Sequence, residues 1–269
     1  MSASSVLAIE AILEGKGMMP TLTALRRRGA WFSKAEVSIL PSNTAVGHST
    51  ISTGTDPRIH GVTGTNLWDT RNHRREDLFK GQNPEPLLAL TLADLWSVAT
   101  AGQAVILAQG SASRAATPLA GHGACQLNGA AVVLASYDFD EGRWKTNERC
   151  FRLPAYLKDL DARTLWADSP EWMGHRIDSA SAVRYSALFP RFEAQAMAAM
   201  IEHEPVGADG IPDLILMDCE PAASRGSGAV IPSRPRVRLG SLVRRSTFFG
   251  EFVAASSRNG EVGDREPAA

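Results

Sequence analysis

The stretch Ser38-Ile39-Leu40-Pro41-Ser42-Asn43-Thr44-Ala45-Val46-Gly47-His48-Ser49-Thr50-Ile51-Ser52-Thr53-Gly54 decides how this chain is read. Val37, Ile39 and Leu40 suit a buried strand, and Pro41-Ser42-Asn43 is turn chemistry. Gly54 is placed to end a short helix that begins near Thr44. The pattern is strand, tight turn and helix, with a hydroxyl at the turn. Thr44 then stands where unpaired backbone N–H groups and the positive end of a helix can hold a phosphate. Spacing alone reads first as a helix cap, the commoner role of a threonine at such a place.

The residues around it carry more. Thr44, Gly47-His48, Thr50 and Thr53-Gly54, followed by Pro57, His60-Gly61-Val62 and Asn66, form one spaced set. This set resembles the nucleophile segment of the type I phosphodiesterase and nucleotide pyrophosphatase family of the alkaline phosphatase superfamily. The resemblance continues more loosely in both directions. Met19-Pro20-Thr21-Leu22 with Gly29-Ala30 is similar to the helix before the nucleophile strand. Thr91-Leu92-Ala93-Asp94-Leu95-Trp96, residues 103–108, Ser113-Arg114-Ala115-Ala116 and Leu119-Ala120-Gly121-His122 resemble the following helix, strand and loop. Trp144-Lys145-Thr146-Asn147 and Leu153-Pro154-Ala155-Tyr156-Leu157 fit the middle region, and Pro212-Asp213-Leu214-Ile215-Leu216-Met217 fits the strand before a metal-binding loop. After Pro221 nothing is recognisable.

The resemblance implies a three-layer α/β/α sandwich, alkaline phosphatase-like and incomplete. Residues 1–221 would be the N-terminal part of the phosphodiesterase domain, and 222–269 an unrecognised Arg/Ser/Gly-rich tail. It implies a metal-dependent phosphoric ester hydrolase, of phosphodiesterase, nucleotide pyrophosphatase or phosphatase type. Thr44 would attack phosphorus and form a phosphothreonine that water releases. A small phosphate ester or nucleotide is the implied substrate. The implied phosphoryl-oxygen donor after the His-Gly pair is an Asn; counting from Thr44 lands on Thr65, with Asn66 next, so both are candidates. The competing reading is a catalytically inactive remnant or phosphate-binding module; a serine hydrolase is weaker, because no Gly-x-Ser-x-Gly elbow occurs.

An aliphatic hydroxyl needs activation. Metal coordination can lower a bound water's pKa by about nine units, on the order of 12 kcal/mol, whereas a helix end supplies about 0.3 to 1 kcal/mol to an exposed charge. The metal ligands therefore decide competence. The family uses two divalent ions, usually zinc, held with the nucleophile by aspartates and histidines from separated strand ends. Thr44 would be one ligand. Glu10 stands after a candidate strand at 6–9, where the family has Asp, and competes with a plain exposed strand-end glutamate. After Met217 the chain reads Asp218-Cys219-Glu220-Pro221-Ala222-Ala223-Ser224-Arg225-Gly226, without the expected Asp-x-x-x-His; no Asp-His-Gly occurs, and His203 is the last histidine. The remaining ligands are not found. Recognition stops where they should begin, which suggests an out-of-frame tail.

Composition agrees with a globular enzyme. At 269 residues and 44% hydrophobic, the chain can bury a substantial core. A formal net charge of −1 gives no reason to expect nucleic acid or an anionic membrane as partner. Cys125, Cys150 and Cys219 lack metal-ligand spacing and cannot all pair, so they read as small apolar packing residues. No segment reads as membrane-spanning, and the start lacks a leader, so the chain as written is cytoplasmic, or exported if a leader is missing. Alternating elements favour a sheet covered on both faces. Helices are predicted at 20–28, 90–100, 155–160 and 191–202, a buried strand at 103–109, and a hairpin over 130–139 and 142–145. In the second helix Leu92, Leu95 and Trp96 form the expected core stripe, and residues 69–86 read as a solvated basic loop. An incomplete sheet predicts self-association through an exposed edge.

Overall fold

The computed structural model describes residues 20–218 except 31, 33–35, 38, 127–130, 169, 173–174, 185 and 187. In chain order the helices and strands are α1 (Pro20–Arg28), α2 (Thr44–Thr53), α3 (Pro57–His60), β1 (Asn66–Asp69), β2 (Arg74–Asp77), α4 (Leu92–Ala99), β3 (Ile106–Gly110) and α5 (Ser113–Ala120). They continue with β4 (Val132–Asp138), β5 (Arg143–Lys145), α6 (Ala155–Lys158), β6 (Glu171–Trp172), β7 (His175–Arg176), α7 (Ala180–Arg184), α8 (Leu188–His203) and β8 (Leu214–Met217).

The central sheet has four strands in the order β5-β4-β3-β8. β3 runs parallel to both β4 and β8, while β5 returns antiparallel to β4. Successive strand residues point to opposite faces, and the core divides accordingly. Ile106, Ala108, Val132 and Leu134 pack with Ala93, Ala116 and Leu119 of α4 and α5. Leu107, Val133, Ala135 and Tyr137 pack with Phe189, Phe192, Ala196, Met197 and Met200 on the other side. Each fully buried aliphatic side chain of this kind contributes about 1.5 to 3 kcal/mol relative to exposure. The result is a helix–sheet–helix sandwich, as the sequence predicts.

β8 differs from its neighbours. Every residue of β3 is buried, but Leu214, Ile215, Leu216 and Met217 are each only half-buried at the open edge. An apolar parallel strand is normally covered on both faces, so this edge is unfinished among the described residues.

The helix at 191–202 is present as the longer α8, with Phe192, Ala196 and Met200 buried. The hairpin is present as β4 and β5. Four expectations are corrected. The segment before α2 joins no sheet among the described residues; Ile39 is buried, but Val37 and Leu40 are 61% and 96% exposed. In α4 the buried face is Ala93, Asp94 and Ser97, whereas Leu92 and Leu95 are exposed. The loop after α5 approaches the buried face closely: a side chain on Gly121, at φ +72°, would fall 2.4 Å from Thr91 Oγ1 and 2.5 Å from Asp94 Oδ1. Only small or hydrogen-bonded residues fit there. The basic stretch at 69–86 is not a plain loop, because it contains β2, which pairs antiparallel with β1 at its start. Cys125 and Cys150 form a disulfide rather than packing as free thiols. Residues 6–9, Glu10, Cys219 and the tail at 222–269 lie outside the described residues.

Candidate active site

Helix α2 is capped one residue earlier than a capping Thr44 would require. Asn43 is the N-cap, with extended φ −104° and ψ 171°, and its side chain accepts from Val46 N at 3.3 Å. Asparagine is among the best N-caps, so Thr44 becomes the first helical residue. Helix geometry leaves the amides of Thr44 and Ala45 without intrahelical acceptors. The half-buried Thr44 hydroxyl therefore lies at the electropositive start of the helix. The other end closes as read from the sequence: Gly54 takes the left-handed conformation at φ +66°, and its amide donates to Thr50 O.

Asn43 also organises the neighbouring loop. Thr65 Oγ1 donates to Asn43 Oδ1 at 3.1 Å, which brings residue 65 to the start of α2 across a separation of 22 residues. Asn66 follows at the start of β1 with its side chain exposed. Thr65 thus sits beside the turn that carries Thr44 and gives its proton to Asn43, while Asn66 is its chain neighbour, paired with Asp77 of β2.

Two histidines of the spaced set hold the helix. His60 is fully buried; its Nδ1 accepts from Val62 N at 3.1 Å, so its other nitrogen carries the proton and donates to Thr50 Oγ1 at 3.1 Å. Burial lowers its pKa, only partly offset by a hydrogen bond to its own backbone and the charge of Asp56. His48 lies one turn beyond Thr44. Its Nδ1 is 2.8 Å from Thr44 O and its Nε2 is 3.3 Å from Asp218 Oδ1. Asp218 directly follows β8, and its amide donates to Gln109 O at 2.9 Å. Asp218 Oδ2 is buried and takes no hydrogen bond among the described residues.

Two further charged pairs join elements around the site. Arg114, in the first turn of α5 and 16% exposed, reaches Asp77 at 4.0 Å and so ties the β1–β2 hairpin to the helix layer. His122 and Asp94 form a sealed pair 2.8 Å apart behind α4. Burial opposes both charges. Hydrogen bonds to Asp94 and to Leu87 O nevertheless hold His122 above its ordinary pKa, and those from His122 and Thr91 hold Asp94 below its own.

A family of this resemblance implies metal. Among the described residues no group of three or more His, Cys, Asp or Glu side chains could hold an ion. Thr44 and the unpartnered oxygen of Asp218 do not amount to a two-metal site, and Glu10 and the residues after Asp218 lie outside those described. Sequence reasoning overlooked Asn43 and the role of Asp218. An Asn just before the helix is a legible cap signal; the meeting of Asp218 with His48 joins residues far apart in the chain and has no local signal.

The profile described as type I phosphodiesterase / nucleotide pyrophosphatase matches residues 9–189, well over half of the chain. No curated protein matches the sequence. Among solved structures, wild-type alkaline phosphatase PafA is similar at TM-score 0.69 and 18% identity, covering 84% of this chain and 52% of its own. Phosphonoacetate hydrolase from Sinorhizobium meliloti 1021, with phosphonoformate, aligns at TM-score 0.46 and 20% identity, covering 93% of this chain and 50% of its own. The chain spans about half the length of the solved structures it matches. The likeness to PafA places the fold with the alkaline phosphatases.

Proposed function

Because the chain belongs to the type I phosphodiesterase / nucleotide pyrophosphatase family, we propose that it is a phosphoric ester hydrolase with Thr44 as nucleophile. The carrying observation is the position of Thr44: its hydroxyl stands on the first turn of α2, beside amides that helix geometry leaves unpaired. Thr44 Oγ1 attacks phosphorus and loses its proton, while the bond to the leaving oxygen breaks and that oxygen takes up a proton. Water then cleaves the phosphothreonine, restoring the hydroxyl and releasing the phosphoryl product. Asn66 donates to a phosphoryl oxygen, and Thr65, already bonded to Asn43, sets the loop that presents it. The substrate is a small phosphodiester, nucleotide pyrophosphate or phosphomonoester.

Metal dependence belongs to the proposal, since the family is generally metal-dependent. Two divalent ions, zinc in this reading, would supply Lewis-acid activation and would have to be held largely by residues outside those described. A second reading, resting on the missing Asp-x-x-x-His after Met217, is an inactive remnant or phosphate-binding module that keeps the anion-binding turn of α2 without the metals. Metal content of the purified protein separates the two: about two ions per chain for the enzyme, none for the remnant.

The proposal also keeps residues 1–221 as the phosphodiesterase part and 222–269 as a separate, out-of-frame tail; resequencing the gene around codon 221 tests this, and an intact frame with no ligand codons in an adjacent frame overturns it. The half-buried edge of β8 and the exposed Leu92, Leu95 and Val98 support self-association, which light scattering would detect as a species larger than the monomer. The Cys125–Cys150 disulfide supports export to an oxidising compartment over the cytoplasm.

The deciding assay is hydrolysis of bis-p-nitrophenyl phosphate and p-nitrophenyl phosphate with zinc supplied. Thr44→Ala is expected to lower the rate by at least about 10³-fold. Equal rates in the two proteins would eliminate Thr44 as nucleophile; no turnover in folded wild-type protein favours the remnant.

A further inference from the structure

We propose that His48 and Asp218 are positioning residues for Thr44, forming a clamp that fixes the first turn of α2 against the carboxyl end of β8. This rests on the reading of Thr44 as nucleophile.

The connection can be followed atom by atom from the core outwards. Gln109, fully buried in β3, donates through Nε2 to Glu193 O of α8 at 2.9 Å, so its place in the sheet is fixed from behind. Its carbonyl receives the Asp218 amide at 2.9 Å, which fixes the residue where β8 ends. Asp218 Oδ1 then lies 3.3 Å from His48 Nε2, and His48 Nδ1 lies 2.8 Å from Thr44 O. A buried strand is thereby linked, through one carboxylate and one imidazole, to the backbone of the residue that carries the hydroxyl. The other hold on this turn, Asn43 with Thr65, comes from surface loops. Loops move more than buried strands, and the hold by His48 reaches through Asp218 to β3, the fully buried strand beside β8.

The energetic balance at Asp218 argues for a positional role. Its Oδ1 has the imidazole, but its Oδ2 is buried with no hydrogen bond among the described residues. A buried unsatisfied oxygen costs about 1 to 3 kcal/mol, more for a charged group. Such an arrangement is poor as a stability device, and it lies next to the proposed nucleophile, where geometry matters most: a misplacement of about 1 Å can cost about 10²-fold in rate.

The test uses the full chain labelled with ¹³C at threonine methyls, the Thr44 signal being assigned by its loss in Thr44→Ser. His48→Asn can present an amide where Nδ1 was, keeping the Thr44 contact and losing Asp218. His48→Gln can present one where Nε2 was, with the reverse effect. Asp218→Asn keeps the shape and removes the charge. All three are expected to move the Thr44 signal while the buried Thr91 and Thr117 signals stay, which also verifies folding. The His48→Asn/Asp218→Asn double variant is expected to match the single ones rather than add to them. In the hydrolysis assay the same variants are expected to lose about 10²-fold in kcat with KM little changed. A Thr44 signal unmoved by Asp218→Asn overturns the clamp. A signal that moves in a wild-type background with no turnover upholds the clamp and overturns the nucleophile instead, so the two failures are told apart.

Discussion

The same three chemical groups, a carboxylate, an imidazole and a backbone carbonyl, are bridged at two places in this molecule, with opposite finish. Behind α4, His122 lies between Asp94 Oδ2 and Leu87 O, at 2.8 Å from each. At the start of α2, His48 lies between Asp218 Oδ1 at 3.3 Å and Thr44 O at 2.8 Å. The first bridge is sealed, with side-chain exposures of 5% and 1%, and Asp94 receives Thr91 N, Thr91 Oγ1, His122 N and His122 Nδ1. The second is looser, at 22% and 12%, and Asp218 Oδ2 takes no hydrogen bond among the described residues. A completed bridge of this kind stabilises the fold, while the unfinished one stands where the proposed chemistry is. Burial together with hydrogen-bond completion separates the two roles; residue type does not.

The comparison breaks first at the sealed bridge if its completeness has no energetic meaning. Removing one partner of a buried, hydrogen-bonded charge pair costs about 3 to 5 kcal/mol, because the other charge is left uncompensated. His122→Ala is expected to lose stability on that scale, read as a shift in the urea midpoint at unchanged slope. Three elements would lose their common tie: α4 through Asp94, the loop after α5 through His122, and the 84–90 segment through Leu87 O. A loss below about 1 kcal/mol would show that the bridge is ornamental.

A smaller effect, with its own sign, comes from pH. His122 has a folded pKa above its ordinary 6.5, so its contribution is complete below 6.5 and is lost as pH rises through the raised folded value. Asp94 has a folded pKa below its ordinary 3.8, so its contribution is complete above 3.8 and is lost as pH falls through the lowered one. The pair is therefore fully stabilising between those ordinary values. His60 runs the other way. It is held neutral by burial, and its contribution falls as pH drops from 6.5 towards its lowered folded value. Thermal unfolding across pH is expected to show the gap between wild type and His122→Gln narrowing above 6.5, and that between wild type and His60→Gln narrowing below it. Parallel curves would contradict both assignments.

These features were unequally legible in the sequence. Local signals were sound: the run from Thr44 to Gly54 forms the helix it spells, and the strands at the centre of the sheet lie where apolar runs put them. The capping box of Thr91 and Asp94 is a local pattern too, but its consequence was not. Periodicity alone turned Leu92 and Leu95 inward, whereas the buried face is Ala93, packed with Ala116 and Leu119, together with Asp94 and Ser97, and Gly121 closes on Asp94 from a distant loop. The cysteine pair spans 25 residues with no motif to announce it. Asp218 meets His48 only because β8 enters the sheet beside β3. Periodicity and caps report neighbours along the chain, and each of these cases depends on partners brought together by the sheet.

The smallest predicted effect is the one that sharpens the comparison most. Asp218→Asn is expected to change stability by less than about 1 kcal/mol, although its partner distance resembles that of a genuine ion pair. At this site the charge gains one imidazole contact and bears the cost of an unpaired buried oxygen, so the two nearly offset. An amide of the same shape gives up the charged contact to His48 but also takes the charge off a carboxylate with an unpaired buried oxygen. Asp94→Asn has no such compensation, because both Asp94 oxygens receive donors and the new N–H₂ would face one of them. The ratio of the two losses, measured by urea unfolding under one condition, is the informative number. A ratio near unity would mean that both bridges serve stability alike, and that nothing in their unequal finish marks the start of α2 as the working end of the molecule.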